Sequence, residues 1–86
     1  MAYQERILYF RSLKEGWNNG EGKPLTQEAL AMAESLIDRE PGMATSFNIF
    51  LTDAGGLLFE FVSAGWDRSI EIEPDGSIEM YAVEID

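Results

Sequence analysis

The sequence predicts an α+β fold: two N-terminal helices packed on one face of a four-stranded antiparallel meander sheet, in a single domain spanning residues 1–86. Three observations predict it. Apolar residues recur every three to four positions as far as Ile37 and every second position from Ser46 onward, which marks a change from helices to strands. The later segments are joined by stretches such as Asp53-Ala54-Gly55-Gly56 and Pro74-Asp75-Gly76-Ser77, too short for a parallel crossover, so consecutive strands run antiparallel. With 86 residues, 45% of them hydrophobic, the chain suffices for one core and leaves little depth for a buried catalytic cleft.

The first helix is expected over Ala2–Lys14, where Tyr3, Ile7, Phe10 and Leu13 share one side, Gln4, Glu5, Arg11 and Ser12 line the other, and Gly16 is the stop. A polar loop from Gly16 to Pro24 holds three glycines and one large aromatic, Trp17. Thr26 is the N-cap of the second helix, with Gln27 and Glu28 at the positive end of its dipole and Leu25 and Leu30 placed for a hydrophobic staple. Leu30, Ala33 and Ile37, flanked by Ala29 and Leu36, form the stripe to be buried, and Pro41-Gly42 ends the element. Strands follow over 47–52, 57–62, 69–73 and 78–83, with a further turn at Ala64-Gly65.

Alternation assigns Phe47, Ile49, Leu51, Leu57, Phe59, Phe61, Ile70, Ile72, Ile78, Met80 and Ala82 to the core face of the sheet. The opposite face collects Asn48, Phe50, Thr52, Leu58, Glu60, Val62, Ser69, Glu71, Glu73, Glu79 and Tyr81. The charge of the chain is concentrated in the strand-forming half. From Phe47 to Asp86 nine carboxylates face a single base, Arg68, whereas the first 46 residues carry a net charge of only −2 out of the total −10. Glu71 and Glu73 are expected about 6.8 Å apart along one strand, with Glu79 near them across the turn. Like charges so placed weaken a sheet, so they serve either solubility or a partner.

Composition removes most chemistry. Without histidine or cysteine, the usual general base, the commonest metal ligand, the thiolate nucleophile and the disulfide are missing, and no cofactor is expected. Paired carboxylates could serve a glycosidase, but an open sheet offers no sugar-sized cleft. No stretch has the spacing of an EF-hand, Gly20-Glu21-Gly22-Lys23 lacks the phosphate-loop pattern, and six scattered Lys and Arg make no basic stripe for nucleic acid. No apolar run approaches the roughly 20 residues of a membrane span, and Glu5 and Arg6 interrupt the start where a signal peptide needs an unbroken apolar region. A cytoplasmic, unprocessed, non-enzymatic protein is the expectation.

The run Leu13-Lys14-Glu15-Gly16-Trp17-Asn18-Asn19-Gly20, followed by Pro24-Leu25-Thr26 at a helix start, resembles small, largely uncharacterised bacterial and phage proteins with a Gly-Trp-Asp-Gly-like loop. Asp53-Ala54-Gly55-Gly56-Leu57-Leu58-Phe59-Glu60 and the hairpin Ile70-Glu71-Ile72-Glu73-Pro74-Asp75-Gly76 extend that resemblance, although Asn18-Asn19 replaces its acidic position and Ala54 interrupts its later motif. It implies a bacterial or mobile-element origin and the α+β order, and supplies no catalytic residues. In size and charge the chain is also similar to phage inhibitors of host defence complexes, anti-CRISPR proteins included.

The expected function is inhibition by protein binding. An acidic sheet face would occupy a basic, nucleic-acid-binding surface of a host defence protein, with Glu60, Glu71, Glu73 and Glu79 supplying charge and Tyr81 and Phe50 anchoring. Trp17 reads first as a plug that packs its loop onto the domain and second as a recognition residue. The alternative is an antitoxin-like or accessory module that binds one cognate protein through apolar contacts, and a homodimer through a strand edge is a third reading.

Overall fold

The computed structural model describes residues 3–43, 47–63 and 65–85. Ala2, Ser46 and Ala64, expected at a helix start, a strand onset and a turn, lie outside the described residues. Among the described residues two helices, α1 (Tyr3–Ser12) and α2 (Gln27–Arg39), precede four strands, β1 (Asn48–Leu51), β2 (Leu57–Ser63), β3 (Trp66–Ile72) and β4 (Ile78–Glu84). The strands lie side by side in chain order and every neighbouring pair is antiparallel, so the class is α+β, the sheet is a meander, and β1 and β4 are its edges.

Thr26 caps α2 as its position predicts. Its Oγ1 accepts from the Ala29 N–H at 3.1 Å and donates to the Pro74 carbonyl at 2.6 Å, which ties the helix start to the β3–β4 turn. The glycine loop is anchored to the β1–β2 turn. The Lys23 N–H donates to the Asp53 carbonyl at 2.8 Å, the Thr26 N–H to the Gly55 carbonyl at 3.1 Å, and the Asn18 side-chain amide to the Asp53 carboxylate at 3.2 Å. Within the loop, Asn18 and Glu21 exchange backbone hydrogen bonds around a turn at Asn19, whose φ of 52° is left-handed.

Buried side chains of both helices join those of the sheet in one cluster. Tyr3, Ile7 and Phe10 of α1 and Ala29, Leu30 and Ala33 of α2 meet Ile49, Leu51, Leu57, Phe59 and Ile72. Phe59 is wholly buried, with the Tyr3 ring edge-on at 6.4 Å and the Phe47 ring at 6.1 Å, and such a side chain contributes about 1.5–3 kcal/mol by its removal from water. Burial, and the charges of Glu34 and Asp38, push the Tyr3 hydroxyl up to about 12.

The core is narrower than alternation predicts. Met80 and Ala82 have core-facing register, opposite Ile70 and Arg68, yet Met80 is 72% exposed and Ala82 is exposed too. The wholly buried sheet residues are Leu57, Phe59 and Ile72, on β2 and β3; on β4 only Ile78 packs against the cluster. Helices of 10 and 13 residues are about 15 and 20 Å long and leave much of an edge strand uncovered. Boundaries differ as well: α1 ends at Ser12, before the expected Lys14, and β3 starts at Trp66, before the expected Ser69.

Candidate interaction face and strand edge

On the outer face, Phe50, Leu58, Glu71 and Glu79 form one cross-strand row, and Asn48, Glu60, Ser69 and Tyr81 form the next. Glu71 and Glu79 are therefore directly opposed on neighbouring strands, with Cα atoms about 5.5 Å apart or closer. Glu73 joins them at the end of β3. Its half-buried position first, then the charges of Glu71 and Glu79, hold its carboxyl above the ordinary value. The Tyr81 hydroxyl donates to the Glu79 carboxylate, and this bond leads the causes that push the hydroxyl up to about 12, while Tyr81 stays 47% exposed.

Four of the seven predicted residues, Glu71, Glu73, Glu79 and Tyr81, thus gather at the β3–β4 end of the outer face. Glu60 shares that face but lies two strands from Tyr81, about 10 Å away. Phe50 lies on the opposite edge, three strands from Glu79, with the Arg6 guanidinium 5.8 Å from its ring centre. Trp17 is half-buried. It packs against the core cluster, its ring N–H donates to the Lys23 carbonyl at 2.9 Å, and a Cβ on Gly22 would come within 2.6 Å of the ring nitrogen. That is the plug arrangement.

Two residues escaped the sequence reading. Asp67 faces outward between Val62 and Val83 and adds a carboxylate to the acidic face; carrying the alternation of β3 back past Ser69 would have found it. Arg6, read only as a charge on α1, donates from Nε and Nη2 to the Ile49 carbonyl at 2.9 and 2.6 Å, and its guanidinium lies 4.9 Å from the Phe10 ring centre. No sequence signal marks that long-range contact.

The acidic face is uncompensated. Among the described residues the one ion pair is Lys23 with Glu15 at 2.8 Å, both on exposed side chains far along the chain from the sheet carboxylates. Arg68, the sole base of the sheet, has the register of the other face, opposite Phe61 and Ala82. Among the described residues no acidic cluster has the geometry to hold a metal ion, and no helix is long and apolar enough to cross a membrane. Among known proteins, no family model, curated sequence or solved structure matches this chain.

Proposed function

We propose that this chain is a non-enzymatic binding protein whose acidic sheet face occupies a basic, nucleic-acid-binding surface of a partner protein. In this reading both helices cover one face of the sheet and leave the other free to bind. The observation that carries it is the direct opposition of Glu71 and Glu79, with Glu73 beside them and no base among the described residues ion-paired with any of the three. Opposed like charges weaken the sheet they belong to, and a cationic surface relieves that repulsion on contact. Carboxylates in rows also present the kind of repeated negative charge that a nucleic-acid-binding surface attracts. Glu60 and Asp67 extend the field, and the exposed Tyr81 ring supplies an aromatic anchor. Given the likeness in size and charge, a defence complex that holds nucleic acid is the first partner to try.

The test is capture of partners by the tagged chain, with a Glu71→Lys, Glu79→Lys double variant in parallel. The expected partner binds nucleic acid, is displaced by it, is lost between about 0.05 M and about 0.5 M salt, and is not recovered by the double variant. A partner that binds nucleic acid and this chain together, or that ignores both salt and charge reversal, overturns the reading. One observation favours the apolar alternative: Met80, Val83 and Ile85 are 72%, 63% and 46% exposed on or beside β4. A salt-resistant complex lost in Met80→Ser, Val83→Ser would support it.

A further inference from the structure

The two ends of the β3–β4 ladder reveal which way the β4 backbone points. The Glu73 N–H donates to the Ser77 carbonyl and the Ile85 N–H to the Gly65 carbonyl, each at 2.8 Å, and both pairs keep the register of the strands between them. Hydrogen-bonding direction alternates along an antiparallel strand, so Glu79, Tyr81 and Val83 bond inward to β3. Ile78, Met80, Ala82 and Glu84 consequently turn their N–H and C=O groups to the free edge, and among the described residues no other segment bonds the groups of Met80 or Ala82. The same four residues have core-facing register, and beyond Ile78 they are exposed.

We propose that the β4 edge takes up an extended segment of the partner as a fifth strand, one in which lysine or arginine alternates with apolar residues. Its backbone completes the ladder at Met80 and Ala82. Its apolar side chains continue the Met80 and Ala82 row on the core-facing side, and its cations meet Glu79 on the outer side, with the charge of Glu71 one strand further in. Main-chain bonds supply affinity in such strand addition, and alternate side chains supply specificity. Charge selects this occupant over a second copy, since another chain of net charge −10 would bring its own Glu79 and Glu84 to the seam.

This rests on the acidic-face reading, and the experiment separates the two. The probe is an alternating Lys–Val peptide, together with a twin N-methylated at its valines, titrated into the isotopically labelled chain and followed by amide resonances. Edge addition moves and protects the Met80 and Ala82 amides, and the twin binds about tenfold or more weakly. Ala82→Pro removes an outward N–H that an edge strand can spare, and the same loss is expected. Should that variant fail to fold, the twin decides alone. Equal binding of both peptides, with changes confined to Glu71 and Glu79, overturns strand addition and leaves the acidic face standing. Binding by neither overturns it also, with the acidic face then judged by the charge-reversal capture. Doubling of mass with protected Met80 and Ala82 amides in the absence of peptide overturns it in favour of self-pairing.

Discussion

The β1 edge is partly covered and the β4 edge is open, although both strands alternate side chains in the same way. On β1, the Ile49 carbonyl accepts two bonds from Arg6 and the Phe47 N–H just before it donates to the Met43 carbonyl at 3.2 Å, so elements from the helical half cover an outward-pointing backbone. On β4, nothing described meets the outward groups of Met80 and Ala82. Exposed edges invite pairing, and proteins commonly blunt them with charge, proline or a covering element. Here one edge is blunted and the other retains apolar side chains on both faces. β4 is thus the less covered of the two edges, and the exposed Met80, Tyr81 and Val83 side chains mark the difference.

The most damaging way to break the comparison is at the residue shared by the covered side. Phe59→Ala removes a wholly buried ring that Tyr3 and Phe47 both touch, and should cost about 3–5 kcal/mol in chemical denaturation, whereas Met80→Ala should stay within about 0.5 kcal/mol. Equal losses would show that β4 is as well packed as β2. Arg6→Ala should cost about 1–3 kcal/mol through lost charged hydrogen bonds and ring contacts. It should also speed amide exchange in β1 without changing β4, and Arg6→Lys should recover only part of the loss, because an ammonium lacks the planar fork.

Smaller effects sharpen the picture of the open side. Glu71→Gln or Glu79→Gln should stabilise the chain by about 0.2–1 kcal/mol, with the double variant gaining less than the sum, since either change removes the same repulsion. Stabilisation together with lost partner binding would separate the functional from the structural role of these carboxylates. The Met80 and Ala82 amides should exchange with solvent faster than those of Tyr81 and Val83 on the same strand, which is checked by hydrogen exchange followed by NMR.

The last effect is one of pH. Glu73 is held above its ordinary value of 4.5, so the folded chain grips that proton more tightly than the unfolded one. Its contribution to stability is complete below the ordinary value and is lost as pH rises through the folded-state value. Urea midpoints of Glu73→Gln should therefore lack that part of the decline from about pH 4.5 upward, and a variant that tracks the parent throughout contradicts the assignment. Asp75, held low by its bonds from Ser77, works the other way: its contribution is present above its ordinary value and is lost on acidification.

What the sequence determined by itself was everything governed by near neighbours. The N-cap at Thr26, the buried stripe of Tyr3, Ile7 and Phe10, the stripe of Leu30 and Ala33 flanked by Ala29 (with the predicted Leu36 and Ile37 only half-buried), and the antiparallel meander follow from periodicity and turn chemistry, which act over a few residues. That Glu79 lies near Glu71 and Glu73 was legible for the same reason, since the tight turn at Pro74 to Ser77 brings the strands together, and the register then sets Glu79 directly opposite Glu71. Only the tertiary structure decided which alternating residues are dry. Met80 reads as core by alternation and is exposed because burial depends on what packs above a strand, not on its pattern. It also decided that Arg6 bonds the Ile49 carbonyl at the β1 edge from 43 residues away, and that Phe50 stands apart from the acidic end. Those are contacts between distant segments, and no local spacing encodes them.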